Sequence, residues 1–244
     1  MIAKFEPVSF KREQHKAILN VLRSLDGNFL ARAKCYFGGG TAIALNLGEY
    51  RESVDIDFLC ADRDGYKALR TALAGKPNLD AILRPGSDIE PLRDVRTDQY
   101  GLRTFVKLQG AQIKFEIVRE ARIELAGELD GRFGVPVLSR ELMYAEKLLA
   151  NSDRWYAPEI LSRDIIDLSV MISRWGDIPE NAWKIAEEAY GEKVRHDFAS
   201  AVNKIRAPKW IEQCAEKMNI DRAVTEEILK LHGGPFPREA SPFD

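Results

Sequence analysis

Several things are scarce in this chain, and each scarcity closes off a class of function. No stretch approaches the roughly 18 unbroken apolar residues of a membrane span, and the opening Met1-Ile2-Ala3-Lys4-Phe5-Glu6-Pro7 has no apolar core of a secretory leader. Cysteine is limited to Cys35, Cys60 and Cys214, an odd number without CxxC spacing, so a reduced, cytoplasmic setting is expected. The histidines His15, His196 and His232 are scattered and have no metal-ligand spacing. With no G-x-S-x-G and no paired Cys/His, covalent hydrolase chemistry has little support. Net charge is also small, 36 Lys and Arg against 38 Asp and Glu. The acidic excess falls in residues 141–244, and residues 1–140 are mildly basic. A strongly basic nucleic-acid footprint is therefore absent, and any RNA must be held by a local patch. There is no internal repeat and no low-complexity tract.

What is present is a chain of 244 residues, 45% apolar and 30% charged, enough for one large domain or two small ones. Its organising stretch is Phe37-Gly38-Gly39-Gly40-Thr41, a short apolar segment, then Arg51-x-Ser53-x-Asp55-Ile56-Asp57-Phe58. In residues 54–58 apolar and acidic residues alternate with the period of a half-buried strand, so Asp55 and Asp57 leave the same face. Such oxygen ligands suit a hard divalent ion, magnesium or manganese, that also binds substrate phosphates. Ala42 to Leu47 is a good helix former, with Thr41 expected at its N-cap. Glycines just ahead of a helix let the backbone approach an anion, and the free N–H groups of the first turn favour it. Gly39, Gly40 and Thr41 are thus candidate phosphate contacts.

Around this stretch, residues 8–33 read as helical, with Ile18, Leu19, Val21, Leu22 and Leu25 on one stripe. Asp62 to Ala74 is a further helix, closed by 75–78. Ala81-Ile82-Leu83 reads as a strand, and 84–98 is ambiguous. Two clear strands come next, 102–108 and 112–118, joined by a tight turn at 109–111. In the second, Ile113, Phe115 and Ile117 share one face, leaving Lys114 and Glu116 on the other. Glu116 is either a third carboxylate of the site or a solvent-facing glutamate. Residues 134–139 read as a last short strand or an extended link, with Ser139 placed to cap the next element. From Arg140 onward the pattern is helix after helix. The division is therefore an α/β domain over 1–138, a helical domain over 139–232, and a loose tail over 233–244.

This order of motifs resembles the nucleotidyltransferase superfamily and, more narrowly, the AbiEii-type nucleotidyltransferase toxins of type IV toxin–antitoxin systems. The likeness is carried by GGT, R-x-S-x-D-I-D-F, Lys147 and the later Arg163-Asp164-Ile165-Ile166-Asp167-Leu168. It implies an α+β fold, a nucleotidyltransferase-like mixed sheet with flanking helices plus a C-terminal helical domain. It also implies an enzyme that moves a nucleoside monophosphate from a nucleoside triphosphate to a hydroxyl and releases pyrophosphate. The implied metal ligands are Asp55, Asp57 and Glu116, with Asp57 or Glu116 as the base. Arg51, Ser53 and Lys147 would face the triphosphate, and Asp164 the reacting centre, with Asp167 in reserve. The implied partners are the 3′ end of tRNA and a cognate antitoxin. A small-molecule or protein acceptor, or a nucleotide-binding protein without turnover, are the alternatives. Lys147 with Asp164 and Asp167 also reads as an interhelical salt bridge, and Arg154 as a phosphate contact or a solvated side chain. The tryptophans of the helical half read mostly as core, with Trp155 and Tyr156 also available to stack on a base.

Overall fold

The computed structural model describes residues 5–74, 78–108 and 110–233. Its chain divides into two compact units: one takes the described residues up to Glu49 together with Ser53–Met143, the other takes Tyr50–Glu52 with the described residues from Tyr144 onward. The changeover between these units falls at Met143–Tyr144, inside a helix, and the tripeptide Tyr50–Glu52 belongs to the second unit. Residues 75–77, 109 and 234–244, where closing turns and the tail were expected, lie outside the described residues.

In the first unit α1 (Glu13–Ser24) buries Ile18, Leu19, Val21 and Leu22, as its apolar stripe requires. Asp26 then ends the extended break and caps α2 (Gly27–Arg32), its carboxylate accepting from the Asn28 and Phe29 N–H groups. The strands are β1 (Cys35–Gly38), β2 (Asp55–Cys60), β3 (Glu90–Pro91), β4 (Arg96–Thr97), β5 (Gly101–Leu108), β6 (Ala111–Arg119), β7 (Gly127–Leu129) and β8 (Pro136–Leu138). Between β1 and β2 lies α3 (Gly39–Asn46), and after β2 comes α4 (Arg63–Leu73). All eight strands form one mixed sheet in the order β3-β5-β6-β2-β1-β8-β7, with β4 also on β5. β2 runs parallel to β6 and antiparallel to β1.

One face of the sheet is apolar. Phe37 of β1, Phe58 of β2 and Phe115 of β6 form a ladder with ring centroids 5.7 Å apart at each step, and Phe133 closes on Phe37. All four are essentially inaccessible, and each contributes roughly 1.5–3 kcal/mol by leaving water. Alternation then forces Asp55, Asp57, Lys114 and Glu116 onto the other face.

Two expectations for this unit change, and one strand is new. Residues 80–82 form a 3-10 turn, because the Asn78 side chain accepts the Asp80 N–H and starts it. Only Leu83 pairs in β fashion, as an isolated bridge to Leu25. β7 gave no periodic signal in three residues. A Cβ on its Gly127 would sit 2.1 Å from the Val137 carbonyl oxygen, so glycine is what lets β7 lie against β8. The first turn of α3 begins at Gly39 with Gly38 at the N-cap position, which places Thr41 inside the helix.

α5 (Arg140–Arg154) starts as expected at Ser139, whose hydroxyl accepts the Leu142 N–H. The second unit continues with α6 (Arg163–Trp175), α7 (Glu180–Tyr190), α8 (Lys193–Ile205), α9 (Pro208–Met218) and α10 (Arg222–Leu231). Its core is aliphatic: Leu148, Leu149, Ile165, Ile166, Leu168, Ile205, Ile211 and Ile228 are buried. The tryptophans, read as core, are instead half-buried at the margins, and Tyr156 is 65% exposed. The indole N–H groups of Trp155 and Trp210 reach Asp197 and Ser162, which is how a ring with a polar edge settles at a rim.

Candidate active site

β1 and β2 pair so that Gly38 stands opposite Asp57. The chain then turns through Gly39 at φ +68°, a left-handed conformation that favours glycine. A Cβ built on Gly39 would lie 2.9 Å from Asp57 Oδ2. The glycine turn is therefore packed directly on the acidic strand, and the missing side chain leaves the space beside that carboxylate. Gly39 and Gly40 are half-buried, and no side chain caps the first turn of α3. Its leading N–H groups are available to an anion. Gly39→Ala is accordingly expected to cost about 1–2 kcal/mol of stability and to lower nucleotide affinity by moving Asp57, read by thermal melting and by nucleotide titration.

Thr41 and Ser53, both expected to face the nucleotide, hydrogen-bond each other at 2.7 Å, with Thr41 only 1% exposed. This contact ties α3 to the approach of β2. Ser53 is held a second time, by a residue the sequence offered no role. His15, buried on α1, accepts the Ser53 N–H at Nε2 (3.2 Å) and donates from Nδ1 to Glu49 (2.8 Å). Glu49 in turn accepts the Lys11 and Arg12 N–H groups at the start of α1. Only the apolar stripe on which His15 lies was legible beforehand.

Burial lowers the His15 pKa, opposed by Glu49. A histidine held neutral in the fold and free to protonate when unfolded makes the unfolded state bind more protons, so stability falls as pH drops below about 6.5. His15→Gln is expected to flatten that part of the stability curve between about pH 7 and 5, measured as melting temperature against pH.

On the polar face of the sheet, Asp57 is the register partner of Glu116 and Asp55 of Lys114. Glu116 does not turn to the aspartates. Its carboxylate takes Lys114 at 2.6 Å and Arg103 at 2.9 Å. Burial works against the charge on Lys114, but Glu116, Asp55 and Asp57 together raise its pKa. The Asp55 carboxylate makes no hydrogen bond or ion pair among the described residues. Among those residues, too, no group of three or more His, Cys, Asp or Glu is placed to hold a metal by protein atoms alone. Of the three expected ligands, Glu116 is held by Lys114 and Arg103, while Asp55 and Asp57 stand as a pair of donors on β2. That donor set fits a magnesium-like ion, which keeps waters and completes its shell with substrate phosphates. The cation beside the pair is Lys114, whose face was the sequence signal for it, while Arg103 of β5 reaches Glu116 on the same face of the sheet.

The remaining expected residues lie in the second unit. Asp167 of α6 is fully buried and accepts Arg51 Nε at 2.7 Å, Arg51 Nη2 at 3.0 Å, Lys147 Nζ at 2.6 Å and the Tyr50 hydroxyl. Arg51 Nη1 donates to the Glu52 carbonyl, so every nitrogen of this 2% exposed guanidinium is engaged. Arg51 is thus committed to a buried ion pair with Asp167. Lys147 of α5 also reaches Asp164 at 2.9 Å, and Arg154 closes on Asp164 through two nitrogens. Burial alone would raise the pKa of both aspartates, yet Arg51 and Lys147 hold Asp167 well below the carboxylate range, and Lys147 and Arg154 hold Asp164 down. Lys147 therefore bridges two acids of α6, and Arg154 is neither free nor fully solvated. One turn on from Lys147, the buried Asn151 amide has no partner on either atom.

The family model for the nucleotidyl transferase AbiEii toxin of type IV toxin–antitoxin systems matches residues 21–233. The chain belongs to this AbiEii family. It is a nucleotidyltransferase of mixed α/β fold, and none of its helices among the described residues is long and apolar enough to cross a membrane. Among solved structures, JHP933 from Helicobacter pylori is similar at 17% identity and TM-score 0.43, covering 92% of each chain. An antigenic nucleotidyltransferase-like protein from Paracoccidioides brasiliensis is similar at 16% identity and TM-score 0.42, covering 80% of this chain and 94% of that one. Comparison with curated proteins returned no match.

Proposed function

We propose that this AbiEii-family chain transfers a nucleoside monophosphate from a nucleoside triphosphate to a hydroxyl of an RNA, with the 3′ end of tRNA as the acceptor that the family likeness implies. One observation carries the reading: the Asp57 carboxylate stands against the side-chain-free Gly39 at the uncapped start of α3. Carboxylates and an anion cradle meet at one place, as a triphosphate carried with a cation requires. A divalent ion held by Asp55 and Asp57 would supply Lewis acidity and charge neutralisation at the phosphates.

The chain's own residues do the rest. The N–H groups of Gly39 and Gly40 receive phosphate oxygens. Lys114 and Arg103, rather than Arg51 and Lys147, offset the triphosphate charge from the same face as the aspartates. The acceptor oxygen forms a bond to the α-phosphorus as the bond to the β-bridging oxygen breaks, and pyrophosphate leaves with that oxygen. Glu116 already carries two cations, so the hydroxyl proton is assigned to Asp57. Arg51, Asp164 and Asp167 act as positioning residues in the second unit. The family's type IV systems imply a cognate antitoxin as the protein partner, in the cytoplasm.

The test is incubation with α-labelled nucleoside triphosphates and total RNA, protein or small-molecule acceptors. Label entering RNA with matching pyrophosphate release supports the reading. Label entering protein or a small molecule instead replaces the acceptor, and no transfer to any of them overturns the reading.

A further inference from the structure

Several arginines of the described chain are matched by acids: Arg51, Arg103, Arg132, Arg154, Arg174, Arg195 and Arg222 all sit in ion pairs. One place gathers cations that are not. A groove of about 350 Å³ in the first unit is lined by Arg63, Lys67 and Arg70 of α4 and Arg119 at the end of β6, with Tyr66, Thr71 and Ala74 between them. No carboxylate lines it among the described residues. The four cations are exposed, and none makes an ion pair among the described residues. Of the acids nearby, Asp62 pairs with Lys34 and caps α4, Asp98 takes Arg103 and two backbone N–H groups, and Asp64 in the first turn of α4 is exposed and does not line the groove.

Four like charges around one concavity repel each other, and an anion relieves that repulsion. Two further features narrow the anion. Guanidinium forks match phosphate oxygens in pairs, and three of the four cations are arginines. Tyr100, 65% exposed, lies beside Arg119, whose N–H donates to the Tyr100 carbonyl at 2.9 Å. An exposed ring next to a basic groove is a platform for an unstacked base. The other large exposed apolar residues, such as Leu92 and Leu129, do not line the groove, so it lacks the buried apolar anchor of a protein docking site.

We infer that the groove formed by Arg63, Lys67, Arg70 and Arg119 binds the phosphodiester backbone of RNA, with Tyr100 against a base. It is separate from the carboxylates. Arg119 pairs with Cys60 at the far end of β2 from Asp55 and lies on the opposite face of β6 from Lys114 and Glu116. Five strand residues set the two places about 16 Å apart along the sheet. A flexible single strand can reach around the sheet end to both, whereas a small acceptor cannot. The inference deepens the RNA acceptor reading and rests on it for the identity of that RNA, but binding itself is independent of transfer.

The test uses fluorescein-labelled tRNA and a labelled single-stranded RNA of the same 3′ sequence, titrated by anisotropy with the full chain at several salt concentrations. Lys67→Gln with Arg70→Gln, both exposed on α4, is expected to weaken binding at least tenfold and to reduce the salt slope by about 1.4, with an unchanged melt. Tyr100→Ala is expected to weaken the single strand about tenfold. Wild-type affinity and slope in the double variant overturn the proposal. So does displacement of RNA by inorganic phosphate as effectively as by unlabelled RNA, which makes this a small-anion site. Displacement by polyglutamate more effectively than by RNA overturns it in favour of an acidic protein. RNA binding by a chain that transfers no nucleotide sinks the transferase reading and leaves this one standing, while transfer to RNA with undiminished affinity in the double variant sinks this one alone.

Discussion

Asp57→Asn is expected to abolish nucleotidyl transfer, lowering the rate by at least about a thousandfold, while the melting temperature stays within a degree or two of the wild type. The asymmetry comes from where Asp57 sits. Its strand is held by the apolar residues on the other side, Ile56 and Phe58, which the substitution leaves untouched. The carboxamide keeps the size and one oxygen but loses the charge that attracts a cation and the basicity that accepts a proton. Half-exposed polar substitutions of this kind typically change stability by within about 0.5 kcal/mol. A single-turnover assay with labelled triphosphate beside a thermal melt separates the two readouts. Retained transfer in the variant contradicts the assignment, and a collapsed melt would mean the aspartate is structural.

Asp167→Ala is expected to do the reverse and unfold the second unit first. Its carboxylate is the common acceptor for Arg51, Lys147 and Tyr50, and none of them has an exposed alternative. Removing one partner of a buried ion pair leaves uncompensated charge inside and typically costs about 3–5 kcal/mol. In a unit of this size that lowers the melting temperature by roughly 12 °C or more, with loss of helical signal. Asp167→Asn keeps the shape and some hydrogen bonds and should fall between. If both variants melt like the wild type, the network does not hold the unit together.

The two predictions separate what was legible in the sequence from what was not. Strict alternation in 54–58 placed Asp55 and Asp57 on one face, because a strand with one buried side has no other solution. The helical stripes, the β5 and β6 pair and the glycine turn were readable for the same reason: each is local. The partners of Arg51 and Lys147 were not readable. They depend on Tyr50–Glu52 joining the helices from Tyr144 onward, a closure across more than a hundred residues that no periodicity records. The same limit hid the role of His15. Glu116 lay on the expected face, but its two cations come from Arg103 across β5 and from Lys114, and pairing chooses them rather than position alone. β7 was too short to show a period, and Trp155 and Trp210 stay half-buried where their indole N–H groups find polar partners.

The central claim is that Asp55, Asp57 and the glycine turn together hold one cation–triphosphate complex. Manganese binding, followed by electron paramagnetic resonance with a non-hydrolysable nucleoside triphosphate present, tests it most directly. The account predicts a protein-bound manganese signal that requires the nucleotide and disappears in Asp55→Asn, Asp57→Asn and their double variant, with RNA affinity unchanged. An identical bound signal in the double variant would contradict it.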